Sequence, residues 1–356
     1  MSAPVIDAAR RNGTRGSALT YRRGALSIRF RRRSAAVIAA VLLLIAVIAT
    51  VALMLGEYDL GPGEVWTALV GRSSDPLATY FVQELRAPRI LAALTVGVAL
   101  GIAGSLLQNV TGNPLGSPDL LGFTTGAATG ALVQIIVLGG TTDEIALGAL
   151  AGGLLTAAAV HLLTRSSGLT GQRLILVGLG VGALLAAVNT LLVVRASLVA
   201  AQTAAQWLAG SLNAMLWPRA LLTLAAVAVL AVAALALTRP LAQLALGDVV
   251  ARAAGVPVTR VRTAAVLIAV ALVSVATAAT GPIAFVALAA PQVARRLMGS
   301  AAPGLVGSGL VGAVLVLISD LLAQRLFAPT ELAVGVVTGA LGGVYLIVLL
   351  ASRRNK

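Results

Sequence analysis

Long stretches made almost wholly of Ala, Val, Leu, Ile and Gly alternate along this chain with short breaks marked by charge, Pro and Gly. Each stretch approaches the roughly 20 residues that a helix needs to cross a bilayer. None shows the polar–apolar alternation of a half-buried strand. The pattern predicts ten helices, over residues 35–55, 87–108, 118–139, 144–163, 174–195, 219–237, 262–280, 282–297, 303–327 and 332–351. The eighth is short and starts at the Gly281-Pro282 break. These lengths suit helices, not the about ten-residue strands of a membrane barrel. The expected fold is an all-α polytopic membrane protein: a basic arm over 1–33, a ten-helix transmembrane domain over 34–352 and a tail over 353–356.

Composition reinforces this class. Of 356 residues, 59% are hydrophobic and 11% charged, half or less of the charge usual in a soluble domain. The net charge of +14 raises the question of nucleic acid, but its distribution answers it. Nine arginines crowd the first 33 residues, directly before an apolar run, where a juxtamembrane arm against anionic lipid explains them. That run, Ala35 to Leu55, exceeds a signal-peptide core and reads as an uncleaved first helix. With the arm inside, twenty basic residues fall on inner segments and six on outer ones, so both termini are expected in the cytoplasm.

Several chemistries drop out. The chain has no cysteine and a single histidine, His161, which leaves no thiolate or multi-histidine metal centre. No G-x-x-x-x-G-K-[ST] loop is present to cradle nucleotide phosphates. Asp320 is the main acid deep in a predicted span, with Gln324 and Arg325 beside it, and it reads as a structural cluster or a proton relay. Pairs such as Gly97/Gly101, Gly122/Gly126/Gly130, Gly148/Gly152 and Gly335/Gly339 predict close helix crossings without naming a substrate.

Three segments stand out. Arg86 and Arg89, three residues apart around Pro88, share a face at the outer start of the second helix; they either grip carboxylates of an external partner or snorkel at the interface. Gln108, Asn109 and Asn113 lie at the inner turn leading to Ser117-Pro118-Asp119, which reads as an N-cap and first turn; Gln108 and Asn109 line a pathway or bond across helices. Gly247 to Arg260 predicts a short inner helix from Asp248 to Ala254, stopped by Gly255 and Pro257, suited to a cleft in another protein or to the membrane surface.

These segments resemble the FecCD-type permeases of binding-protein-dependent ABC importers. The resemblance rests on Arg86-Ala87-Pro88-Arg89, Asn113 through Gly122, Gly247 through Gly255, Gly281 through Leu288, Pro291, Ala294-Arg295, Asp320 and Glu331 through Gly335, in that order. Departures are Gln292 in place of a common histidine, Ala333 in place of a proline, and Gln324 with Arg325 one place after the usual arginine. Gly116 through Phe123, Ala209 through Asn213 and Leu341 through Leu350 further resemble the ferric-enterobactin subtype.

The resemblance implies a type II importer permease, a transport subunit and not an enzyme, with no cofactor of its own. ATP and Mg would be used by a cytoplasmic ATPase dimer receiving Gly247, Asp248, Ala251, Arg252 and Gly255. A second, paralogous permease would complete a heterodimer. An external binding protein or lipoprotein would dock at Arg86 and Arg89, and a ferric siderophore would be the cargo. A vitamin B12 or haem permease is the near alternative, and an ion-coupled carrier the distant one.

Overall fold

The computed structural model describes residues 6–7, 18–23, 26–56, 58–164, 171–213, 215–300, 302, 304–328 and 330–353. The rest of the arm, the loop bearing Arg165, and residues 354–356 of the tail lie outside the described residues. Three short strands occupy the described part of the arm: β1 (Ile6–Asp7), β2 (Ala18–Arg23) and β3 (Leu26–Arg31) form an antiparallel sheet in the order β1-β2-β3. Beyond it the described chain is helical.

Ten helices match the ten expected: α1 (Arg32–Met54), α2 (Ala87–Thr111), α3 (Phe123–Leu138), α4 (Thr142–Thr164), α5 (Gly171–Arg195), α6 (Trp217–Ala236), α7 (Val258–Thr280), α8 (Val286–Met298), α9 (Leu305–Arg325) and α10 (Val334–Arg353). The observed starts fall within about five residues of the expected ones, with the largest offset at α3. The Ser117-Pro118 signal initiates only a turn, because Gly122 adopts a left-handed conformation at φ 74° and α3 begins after it. The second helix is preceded by a helical lead from Pro76 that passes through a π-helical turn, Phe81–Arg86, before α2.

α2 is the hub. Its apolar window is 83% buried, against 6% for α5 and 17% for α1, so α2 packs on all sides while the others expose a face to lipid. Gly97 and Gly101 place α2 backbone on α9 backbone at Gly312 and Ser308, and Gly104 meets Ala287 of α8. Gly126 and Gly130 of α3 interlock with Gly152 and Gly148 of α4. Small residues let these helices touch where lipid supplies no hydrophobic drive. Gly339 instead faces open space.

The ends sort into two sets. Arg33 at the start of α1 donates to the carbonyls of Leu297 (2.9 Å) and Arg296 (3.2 Å) at the end of α8; this is the arm end. The end of α1, the start of α2 and the end of α9 meet at the opposite, far end. That grouping agrees with the predicted antiparallel threading.

Candidate functional site: a saturated far end and an open arm end

At the far end the last carbonyls of α1 have no intrahelical partner. Arg86 supplies one: Nη1 donates to Leu53 O (2.6 Å) and Met54 O (3.3 Å), and Nη2 to Tyr58 O (2.6 Å). Its guanidinium carbon lies 5.8 Å from the Phe81 ring centre, within cation–π range. Arg86 is buried, so the expectation of an exposed docking arginine does not describe it; backbone carbonyls hold its guanidinium inward.

Arg89 is engaged as well. Its Nε and Nη2 donate to both carboxylate oxygens of Asp320 at 2.9–3.1 Å, and Nη1 reaches Glu331 at 3.3 Å. Gln324 donates to the same Asp320 carboxylate at 2.8 Å. Asp320 side-chain exposure is 2%, Arg89 15% and Glu331 40%, so the knot opens outward only through Glu331 and the outer arm of Arg89. Of the two readings of Asp320, the geometry matches the structural cluster. Arg325, displaced by one residue from the family position, donates to Gly56 O (3.0 Å) and pairs with Asp59 (3.5 Å).

A small cap packs on the end of α1. Leu60, Val65, Ala68, Ala78 and Val82 bury a separate apolar cluster between the helix Pro62–Leu69 and the lead into α2. Asp75 caps the helix Pro76–Tyr80 through the Leu77 N–H (2.9 Å) and accepts from the Tyr58 hydroxyl (2.7 Å). The Tyr58 hydrogen bond holds the Asp75 carboxyl below its ordinary range and lifts the Tyr58 phenol.

The predicted pathway residues each make a hydrogen bond within the bundle. Gln108 is buried and donates to Leu288 O (3.1 Å), tying α2 to α8. Asn109 donates to Ser105 O (2.7 Å) on its own helix, and Asn113 accepts from the Leu115 N–H (2.9 Å) in the following turn. Of the two readings left open by the sequence, the Gln108 bond is one across helices, whereas the Asn109 bond to Ser105 stays within α2. Gln292, in place of the family histidine, donates to Pro114 O (2.8 Å). Among the described residues no group of three His, Cys, Asp or Glu side chains converges.

The arm end presents the opposite character. The short helix is Asp248–Ala253, entered at Gly247 (φ 105°) and left at Gly255 (φ 80°), positive angles that favour glycine. Arg262 at the start of α7 grips the Asp248 carboxylate with two bonds, 2.8 and 2.9 Å, fixing the short helix to a long one. Ala251 is buried against the bundle, whereas Arg252, Leu246 (70% exposed) and Val249 (83% exposed) point away from it. Two large apolar side chains displayed on a rigid, charge-flanked turn make a surface built to be covered.

Sequence reasoning missed one residue. Asp119, read as a first-turn residue, instead sits in the irregular stretch before α3 and accepts from the Thr124 hydroxyl (2.7 Å) and the Phe285 N–H (3.4 Å). Its position within a Pro-Gly-rich turn between two apolar spans is the one signal that marked it.

Residues 42–352 match the FecCD transport family. The chain is 44% identical to the ferric enterobactin transport system permease protein FepG of Escherichia coli K12, across 85% of this chain and 91% of that protein. It is 36% identical to the achromobactin transport system permease protein CbrC of Dickeya dadantii, across 95% and 97%. A vitamin B12 import permease, BtuC of Shigella boydii, is 34% identical across 88% and 95%. Among solved structures, an inward-facing metal-chelate type ABC transporter superposes with a TM-score of 0.80 at 27% identity, covering 89% of this chain and 99% of that one. The chain, a multi-pass inner-membrane protein by its apolar helices and its relatives, belongs to the FecCD transport family.

Proposed function

We propose that this chain is the permease subunit of an ATP-driven importer that carries a ferric siderophore, an enterobactin-like catecholate, across the inner membrane. The observation that carries the proposal is 44% identity to a ferric enterobactin permease over nine-tenths of that protein's length, against 34% for a vitamin B12 permease. In this reading the arm end and both termini face the cytoplasm, and iron crosses inside its chelate, so the permease itself supplies no metal ligands. The chain hydrolyses nothing; an ATPase dimer using ATP and Mg receives the turn Gly247–Gly255, with Leu246 and Val249 filling its cleft. A paralogous permease completes a heterodimer around the path.

The external binding protein docks at the far end, where Glu331 and the outer arm of Arg89 are accessible beside exposed Asp59, Glu64, Arg72 and Glu84, and Arg86 acts behind them as scaffold. Radiolabelled uptake in a strain deleted for this gene tests the cargo. Restored uptake of a ferric catecholate, with no uptake of vitamin B12 or haem, is the expected result; restored uptake of B12 or haem alone overturns it. Uptake that persists without ATP and collapses with a protonophore would assign the chain to ion-coupled carriers instead.

A further inference from the structure

Two spans are interrupted inside the membrane, and one carboxylate joins the interruptions. Measured from the arm end, where Arg33 holds its last carbonyls, the 13-residue α8 reaches about 20 Å into the bilayer at 1.5 Å per residue. Measured from the far end, α3 reaches about 24 Å in. Neither helix is long enough by itself to cross a hydrocarbon core of about 30 Å. Between them lies Asp119. One of its oxygens accepts from Thr124 in the first turn of α3, the other from the N–H of Phe285, the residue that opens α8. A side-chain hydroxyl at the start of one helix and a backbone N–H at the start of the other thus meet on a single acid.

α8 is consequently held by opposite charges at its two ends, carboxylate at its start and the Arg33 guanidinium at its finish. Each sign complements the helix dipole. Phe285 is also the single non-glycine residue with positive φ among the described residues, at 67°. That conformation is sparsely populated for a bulky side chain and persists where surroundings over-determine it. Its side chain lies directly against Gly342 of α10, where even an added methyl group would collide with the ring. Phe285, Gly342 and Tyr345 also share the wall of a cavity of about 70 Å³.

We propose that Asp119 is a positioning residue for transport: its carboxylate locks the start of α8 to the start of α3 and, through Phe285, sets the seat of α10. The three helices then move as one body when the permease changes conformation. An intramembrane acid is costly and calls for a role. The inference rests on the transport reading for its functional arm only.

The natural absence of cysteine permits a direct test in the full chain. Val137→Cys on α3 and Val344→Cys on α10, both exposed, take spin labels, and the label-to-label distance is read in membranes. Asp119→Ala is expected to broaden a narrow distance distribution and to lower ferric-chelate uptake per ATP at least tenfold in the assembled transporter. Asp119→Asn, which keeps an acceptor oxygen, falls between. A parent-like distribution with parent-like uptake overturns the proposal. If Asp119→Ala does not accumulate, Asp119→Asn and Thr124→Val decide it: parent-like distances and uptake in both overturn it, broadening in either supports it. If the labelled parent itself carries no ferric chelate, the transport reading fails while the distance measurement still judges the lock.

Discussion

The far end and the arm end of this bundle handle charge in opposite ways. At the far end three arginines are spent on internal partners: Arg86 on the carbonyls of α1, Arg89 on Asp320 and Glu331, Arg325 on Gly56 and Asp59. At the arm end one ion pair, Asp248–Arg262, fixes a turn whose apolar residues Leu246 and Val249 stand largely exposed among the described residues. A surface that has satisfied its own groups holds shape; a surface that displays unsatisfied apolar area requires a second molecule. Damage at the far end should therefore read as lost stability, and damage at the arm end as lost partnership.

The sharpest way to break this contrast is at Asp320. Asp320→Ala leaves Arg89 in a largely buried site with Glu331 as its remaining acidic partner, and breaking such a pair costs up to about 3–5 kcal/mol. A marked fall in thermal stability of the detergent-solubilised chain is expected, with Arg89→Ala similar and the double variant well short of additive. Unchanged melting in Asp320→Ala would mean that the knot is ornamental.

Second in size is the reverse outcome at the arm end. Val249→Asp should leave melting within about 0.5 kcal/mol of the parent, as exposed substitutions do. It should weaken co-purification of the ATPase roughly tenfold or more, the scale of one interface anchor. Equal ATPase recovery would remove the coupling role from this turn.

Beneath the knot, Gly101→Ala asks whether charge or packing holds α2 to α9. Its new methyl meets the Ser308 carbonyl, and such overpacking costs about 1–3 kcal/mol. A melting loss as large as that of Asp320→Ala would transfer the main role from the ion pair to the glycine seam.

The smallest effects lie at the margins. Arg262→Ala removes a partly exposed pair worth about 0.2–1 kcal/mol, visible as faster hydrogen exchange over 247–255 and not as global unfolding. At the cap, the Asp75 carboxyl is held below its unfolded value. Its contribution is therefore present above the unfolded pKa and lost as pH falls through the folded one. Protection against exchange over the Tyr58–Tyr80 segment, corrected for the intrinsic rate, should fall as pH drops below the ordinary carboxylate range, and Tyr58→Phe should weaken that pH dependence.

Much of this architecture is legible from local sequence, because membrane helices announce themselves through length and charge punctuation. All ten appear where apolar runs place them, and the Gly247–Gly255 turn follows from two glycines and a proline. Long-range pairing is what local reading cannot reach. Arg86 looks exposed because its partners are backbone carbonyls, which any residue could supply. Ser117-Pro118 mimics a helix start, and only the left-handed Gly122 resets it. Asp119 was missed for a related reason: its donor at Phe285 lies 166 residues downstream.

That same separation has a bearing on how the chain is made. Arg89 leaves the ribosome 231 residues ahead of Asp320. At 5–20 residues per second, that is a wait of roughly 10–50 s with a cation and an open glycine face at the mouth of the bundle. The far-end knot can close only when α9 arrives, so it times the last stage of insertion. A chain truncated before α9 would carry an unanswered guanidinium and a bare groove on α2, a lesion that membrane quality control can recognise.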